Sequence, residues 1–248
     1  MTTTILAAEG VVKRYGNFLA LSQVSVSFAR TTLTAIIGPN GAGKSTFFNV
    51  LSGALKPSHG RVLFEGRDIT GSPQHAFARM GIAKSFQITS VFPRLSTHEN
   101  VRVAVQMRRS RFNLFIPRES LAEVMDQADR LLETVGLAQA RGRPAADLAH
   151  GQQRCLEIAL ALACDPKLLL LDEPTAGMSP EETVAMMDLI VTLAETRTVI
   201  LVEHKMKLVM GICQRVLVLH HGELLAEGSP AEVRANAEVK RVYLGQGV

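Results

Sequence analysis

The stretch Gly38-Pro39-Asn40-Gly41-Ala42-Gly43-Lys44-Ser45-Thr46 constrains this chain more than any other. It fits the spacing G-x-x-x-x-G-K-[ST], follows the apolar run Leu33 to Ile37 and precedes a helix-like segment. A strand, a glycine-rich turn and a helix in that order form a cradle for an anion. The glycines let successive N–H groups curl around it without a Cβ in the way, and the helix adds its positive N-terminal end. In such a cradle Lys44 reaches the β and γ phosphates of a nucleotide, and the Ser45 hydroxyl ligates Mg²⁺.

At 248 residues the chain has room for one large domain with a subdomain, not for two complete nucleotide-binding domains. Apolar residues make up 47% and charged residues 20%, a globular and not a disordered composition. The 27 basic and 23 acidic residues are spread along the chain, whereas a dedicated nucleic-acid binder concentrates its basic residues; no nucleic-acid partner is expected. Cys155, Cys164 and Cys213 are odd in number and lack C-x-x-C spacing, which suggests neither a disulfide framework nor a zinc site. Residues 1–10 lack the features of a signal peptide, and no window approaches eighteen uninterrupted apolar residues. The expectation is a cytosolic protein that meets a membrane only through a partner.

Ile5 to Val12 and Val24 to Phe28 read as strands, and Tyr15 between them precedes a glycine turn. Tyr15 either lays its ring on an adenine face or fills the edge of a small sheet. Gly60 to Gly66 and Gly81 to Phe86 read as further strands, the latter leading to Gln87. A glutamine at a strand end beside phosphates can ligate Mg²⁺ or orient a water; elsewhere it simply faces solvent. From Ile88 to about Asp165 the pattern turns helical, with Leu121, Val124, Met125, Ala128, Leu131, Leu132 and Val135 at steps of three and four, and Gly136 placed as a C-terminal cap. Within it, the segment from Arg108 to Arg118 carries four arginines and no acid. It reads either as a contact for a membrane partner or anionic headgroups, or as a solvated loop whose apolar residues tuck against the helices.

Leu148-Ala149-His150-Gly151-Gln152-Gln153-Arg154 opens a helical run over Cys155 to Ala163, and a glycine ahead of such a helix leaves N–H groups free for an anion. Nothing near His150 has metal-ligand spacing, so alone it reads as structural. Lys167 to Leu171 is a continuous apolar strand running into Asp172-Glu173. Adjacent carboxylates at such a strand end are costly unless they serve the chemistry, with Asp172 holding Mg²⁺ and Glu173 polarising water. Ser179-Pro180-Glu181-Glu182 starts a helix reaching Leu193. Thr198 to Val202 is the next buried strand, with Glu203-His204 at its end, where His204 can hydrogen-bond a γ phosphate. Arg215 to Leu219 and Glu223 to Ala226 form a late hairpin-like pair, and a terminal helix closes near Leu244.

Taken together, these separated motifs resemble, in order and over almost the whole length, the nucleotide-binding subunit of an ATP-binding cassette transporter. The resemblance implies an α/β P-loop NTPase (RecA-like) core with a mixed sheet and a small antiparallel β subdomain over residues 1–87 and 166–248, and an inserted α-helical subdomain over 88–165. It implies ATP and Mg²⁺ as cofactors, Tyr15 as the adenine-stacking aromatic and Gly38 to Thr46 as the phosphate loop. Gln87 matches the glutamine that senses Mg²⁺ and the attacking water. Leu148 and Ala149, His150, Gly151 and Gln152 match the signature that caps the opposite subunit's nucleotide. Asp172 matches the Mg²⁺-site aspartate, Glu173 the catalytic glutamate and His204 the switch histidine.

The signature departs from Leu-Ser-Gly-Gly-Gln at Ala149 and His150, and Gly177-Met178-Ser179 lacks the usual aspartate. These departures, with Val202-Glu203-His204-Lys205-Met206 and the ending Val242-Tyr243-Leu244-Gly245, look like importers of branched-chain amino acids. The ATPases of urea or amide importers and of lipopolysaccharide exporters are similar. The implied partners are a second cassette, identical or homologous, transmembrane permease subunits, and indirectly a periplasmic binding protein. The implied location is the cytoplasmic face of the membrane. Two other classes share the phosphate loop: a soluble assembly or repair ATPase, and a small-molecule kinase, which has no need of the Leu148 to Arg154 signature.

Overall fold

The computed structural model describes residues 3–85, 91–109 and 118–244. The chain opens with β1 (Thr4–Tyr15) and β2 (Phe18–Ala29), then β3 (Leu33–Ile37), α1 (Lys44–Leu51), β4 (His59–Phe64) and β5 (Arg67–Asp68). Next come α2 (Gln74–Met80), β6 (Ile82–Lys84), α3 (Thr97–Arg109), α4 (Arg118–Thr134) and α5 (His150–Leu162). The remainder is β7 (Leu168–Asp172), α6 (Pro180–Ala194), β8 (Thr198–Val202), α7 (Met206–Ile212), β9 (Arg215–His220), β10 (Glu223–Gly228), α8 (Pro230–Ala235) and α9 (Ala237–Leu244).

Two sheets form. The antiparallel one runs β2-β1-β4-β5, and the mixed one runs β10-β9-β3-β8-β7-β6, with only β10 antiparallel to its neighbour. The mixed sheet explains why its central strands read as unbroken apolar runs. Side chains alternate between faces, and both faces are covered. Leu33, Ala35, Leu169, Leu171, Val199 and Leu201 join one core with α3, α4, α5 and α6. Ile36, Leu168, Leu170, Ile200 and Val202 join the other, with α1 and the antiparallel sheet.

The helices stop where local chemistry requires. After α4, Gly136 takes φ 73°, its N–H donates to Glu133 O (3.1 Å), and Leu137 N–H donates to Leu132 O (2.7 Å). This is the left-handed cap expected of Gly136, and buried Leu132 and Leu137 close it. At α6, Ser179 Oγ accepts from Glu182 N–H (3.2 Å) while Glu182 Oε2 accepts from Ser179 N–H (2.9 Å). Of the α4 stripe, Val124, Ala128, Leu132 and Val135 are buried, whereas Leu121 and Met125 lie at its exposed margin.

Some boundaries differ from the sequence reading. β1 and β2 are longer, so Lys13-Arg14-Tyr15 lie on a strand and only Gly16-Asn17 turn the chain. Antiparallel pairing with register shifts carries them past their clean alternation. The seven-residue α2 has no counterpart in that reading, because it is too short for a periodic stripe. Helix α5 begins at His150, not after Gly151, so Gly151 sits buried inside the first turn. A Cβ there would come within 2.5 Å of Glu182 Oε1, so that carboxylate packs against the glycine and would have to move for a side chain. The late pair β9 and β10 is an antiparallel hairpin as expected, and the terminal helix is two helices, α8 and α9.

Candidate functional site

Sheet register brings the chemistry to one level. Ile36 and Asp172 both pair with Val202, so the loops leaving β3, β7 and β8 emerge side by side at the strands' C-terminal ends, where ligands of open α/β sheets collect. The first is residues 38–43. A Cβ on Gly38 would overlap the carbonyl oxygen of Leu219, and Gly43, at φ 96°, lies against Ala20 O and Gly222. The turn between β9 and β10 supports this loop from below, Gly222 N–H donating to Ala42 O (3.0 Å). The helical ladder of α1 starts with Phe47 N–H to Gly43 O (2.8 Å), so the N–H groups of Lys44, Ser45 and Thr46 precede it at the positive end of the helix.

A cleft of about 380 Å³ lies over this loop. It is lined by Asn40, Gly41, Ala42, Gly43, Lys44, Ser45 and Thr46, together with Phe18, Ala20, Glu173 and His204. Lys44 is buried; its Nζ donates to Gly38 O (2.7 Å) and Pro39 O (2.9 Å). Burial holds its ammonium below the usual lysine pKa, and the Glu173 carboxylate partly opposes that.

Glu173 sits at φ 46°, a strained left-handed position for a residue with a side chain, and its Oε1 meets His204 Nε2 at 2.6 Å. Asp172, one residue back, is 5% exposed, and its Oδ1 is buried without a hydrogen-bond partner. Burial pushes its carboxyl above the ordinary aspartate pKa, with the nearby Lys84 charge pulling the other way. Lys84 itself is held down by burial and donates to Asn49 Oδ1 (2.7 Å). An orphaned, acceptor-only oxygen at the end of β7 is the donor chemistry that a hard cation such as Mg²⁺ takes.

Other expected residues lie elsewhere. Tyr15 is half-exposed, with Lys13 Nζ 5.2 Å from its ring centre, and is not among the residues lining the cleft; its strand partner Phe18 is. Ala149, His150, Gly151 and Gln152 form the first turn of α5 and do not line the cleft either. Ala149, as N-cap, offers no side-chain oxygen, and only Gln152 Oε1 closes the cap, accepting from Ala149 N–H (3.2 Å). His150 Nε2 lies 3.1 Å from Ala176 O, in the loop after Glu173. Gln87 lies outside the described residues, as does residue range 110–117 of the arginine-rich segment. The sequence reading missed Phe18, Ala20, Lys84 and Gly222. An exposed aromatic just after the Gly16 turn was the one available signal.

Among the described residues, no helix is long and apolar enough to cross a membrane. Residues 21–176 match the family described as ABC transporter, and residues 223–248 match the branched-chain amino acid ATP-binding cassette transporter family. The chain is 40% identical to the high-affinity branched-chain amino acid transport ATP-binding protein LivG of Salmonella typhimurium, over 99% of this chain and 100% of that protein. It is 39% identical to BraF of Pseudomonas aeruginosa, of the same description, over the same shares. It is 32% identical to the lipopolysaccharide export system ATP-binding protein LptB of Haemophilus influenzae, over 98% of each. The crystal structure of the ADP conformation of MJ1267, an ATP-binding cassette of an ABC transporter, superposes with TM-score 0.85 at 31% identity, covering 98% of this chain and 100% of that one. A dimeric post-hydrolysis state of the cassette MJ0796 bound to ADP and Pi superposes with TM-score 0.76 at 25% identity, covering 91% and 99%. A family match over residues 21–176, with relatives 39–40% identical over 99% of its length, means that this chain belongs to the ATP-binding cassette transporter family.

Proposed function

We propose that this chain is the ATP-hydrolysing subunit of an importer of branched-chain amino acids, acting at the cytoplasmic face of a membrane. The observation that carries the catalytic reading is the Glu173–His204 contact of 2.6 Å across the cleft from Lys44 and the phosphate loop. The substrate class rests on the relatives named LivG and BraF and on the match over residues 223–248.

In this reading the amides of Gly41 to Thr46 and the ammonium of Lys44 hold the β and γ phosphates, and the nucleotide draws Lys44 from its two loop carbonyls. Phe18, beside the cleft, and Tyr15, opposite it on the hairpin, offer aromatic faces for the adenine. Glu173 orients and polarises the attacking water, and His204 fixes the carboxylate and faces the γ phosphate. Asp172 and Ser45 would hold Mg²⁺, with Gln87 completing the set; the ion supplies charge neutralisation on the phosphate oxygens.

Ala149 to Gln152 stand apart from their own chain's cleft, which supports a composite site in which they cap the nucleotide of a second cassette, identical or homologous. The dimeric form of MJ0796 supports the same arrangement. We assign 1–87 and 166–248 to the core and 88–165 to a helical subdomain that transmits closure to permease subunits, with a periplasmic binding protein acting only through them. Closure and hydrolysis alternate, and the amino acid never enters this chain.

Glu173→Gln tests the reading. Removing the base should lower phosphate release by roughly 10²-fold to 10⁴-fold while ATP-dependent dimerisation persists in light scattering, and leucine uptake by the reconstituted transporter should cease. Unchanged phosphate release would remove Glu173 from its role, and unchanged uptake would separate this chain from transport.

A further inference from the structure

Glu203 is 3% exposed, stands between the two loops of the site, and has no part in the chemistry described above. Its Oε1 accepts from Thr175 Oγ1 (2.5 Å) and from Thr175 N–H (3.3 Å). Its Oε2 accepts from the N–H groups of His204 (3.0 Å) and Lys205 (3.4 Å). Lys205 Nζ returns to Thr175 O at 3.3 Å, so the two loops are joined twice. One residue further on, Ala176 O receives the His150 ring nitrogen at the head of α5 (3.1 Å).

All four partners of the Glu203 oxygens are donors. Only an acceptor-only group satisfies all four, since a glutamine would turn its NH₂ against at least one backbone N–H. A buried carboxylate is an expensive way to fasten two loops, because apolar packing between them would avoid the desolvation. The strand ends are already tied by Glu173 N–H to Val202 O (2.9 Å), so the fold itself does not demand the extra clamp. What the clamp adds is a fixed relation between Thr175, two residues after Glu173, and the backbone of His204.

We propose that Glu203 is a positioning residue: it locks the Thr175 loop and the His204 turn into one unit, keeps Glu173 and His204 in contact, and through Ala176 couples that pair to His150 within the same chain. The inference rests on the reading of Glu173 and His204 given under the proposed function. His150, which stands where the resembled signature has a glycine, thereby gives the first turn of α5 a side-chain link to its own chain's reaction residues.

The test is steady-state phosphate release by the full chain bearing Glu203→Gln, Thr175→Val, His204→Ala and the double change Glu203→Gln with His204→Ala. Glu203→Gln should lower kcat about tenfold or more, with KM and the calorimetric Kd for ATP within about twofold of the unaltered protein. Thr175→Val, which keeps shape and removes one hydrogen bond, should lower kcat about threefold to tenfold with the same unchanged KM. Added to His204→Ala, Glu203→Gln should lower kcat no further, because its action passes through His204. Unaltered kcat in Glu203→Gln, or losses that multiply in the double variant, would overturn the inference. If Glu203→Gln does not fold, Thr175→Val decides, and kinetics equal to those of the unaltered protein would overturn it. Unchanged turnover in His204→Ala would overturn the reading of the site itself, and the clamp with it.

Discussion

Asp172→Asn should make the empty protein more stable and the nucleotide-bound protein less so, an inversion that follows from one buried atom. Asp172 is 5% exposed at the end of β7, and its Oδ1 has no hydrogen-bond partner. Leaving a buried polar atom unsatisfied costs about 1–3 kcal/mol, and more for a charged one. Asparagine keeps the shape and removes the charge, but its carbonyl oxygen still lacks a donor, and Lys84 loses the charge that offsets its own burial. The recovered part is therefore about 1 kcal/mol, equivalent to roughly 2–4 °C in Tm for a chain of this size.

The pH dependence fixes the cause. A carboxyl whose pKa is raised on folding binds its proton more tightly in the folded state, so its contribution is most favourable below the unfolded value, about 3.9. That contribution is lost as pH rises through the folded value. Above the folded value the full penalty is present, and the variant should melt higher there in the presence of a chelator. Toward pH 4 the two proteins should converge as Asp172 takes up its proton. With Mg²⁺ and a non-hydrolysable ATP analogue at a hundredfold above Kd, the unaltered protein should gain about 2.7 kcal/mol, and the variant much less. Differential scanning calorimetry in both buffers reads the inversion. A variant that melts below the unaltered protein with chelator above the folded value would show that the Asp172 charge is satisfied in the fold, and the argument for a cation there would fail.

Two further substitutions probe the scaffold under the site. Gly38→Ala places a methyl group into the Leu219 carbonyl, so the loop or β9 must shift, at about 1–3 kcal/mol; an unchanged urea midpoint would refute that contact. Ser179→Ala removes the oxygen that caps α6 and should cost about 0.5–2 kcal/mol, with Ser179→Gly costing only a few tenths. Equal stability of Ser179→Ala and the unaltered protein in chemical denaturation would show that the cap contributes nothing.

Much of this architecture is legible in the sequence because its signals are local. The leucines 168–171 state a strand buried on both faces, Gly136 states a helix end, and residues 38–46 state strand, turn and helix together. What escapes a sequence reading is whatever depends on pairing or on contacts between distant segments. The length of β1 and β2 comes from their bulged register, not from alternation. Gly151 looks like a residue before a helix, yet it lies inside the first turn of α5 with the Glu182 carboxylate, 31 positions on, packed against it. Glu203 reads as a neighbour of His204, and only the fold reveals Thr175 on its other side. Phe18 lines the cleft, and only the turn at Gly16-Asn17 reveals that Tyr15 is its partner across the hairpin.

Three unfavourable features of this molecule fall in one place. The left-handed Glu173, the orphaned Asp172 oxygen and the desolvated Lys44 all gather at the C-terminal ends of β3, β7 and β8. Each costs free energy in the protein alone, and a strained backbone of the Glu173 kind persists only where its surroundings fix it. The surroundings here are the apolar central strands packed on both faces, whose burial supplies stability that the loops at their ends give back. A triphosphate with a bound cation would relieve two of these at once, giving Lys44 an anion and Asp172 a cation, and in the proposed reaction Glu173 would make use of the third. It follows that binding should stabilise the three loops far more than the antiparallel sheet. Hydrogen exchange should therefore slow around residues 38–46, 172–178 and 203–205 on nucleotide addition and stay unchanged in β4 and β5. Uniform slowing along the chain would mean that the site is not where the strain is held.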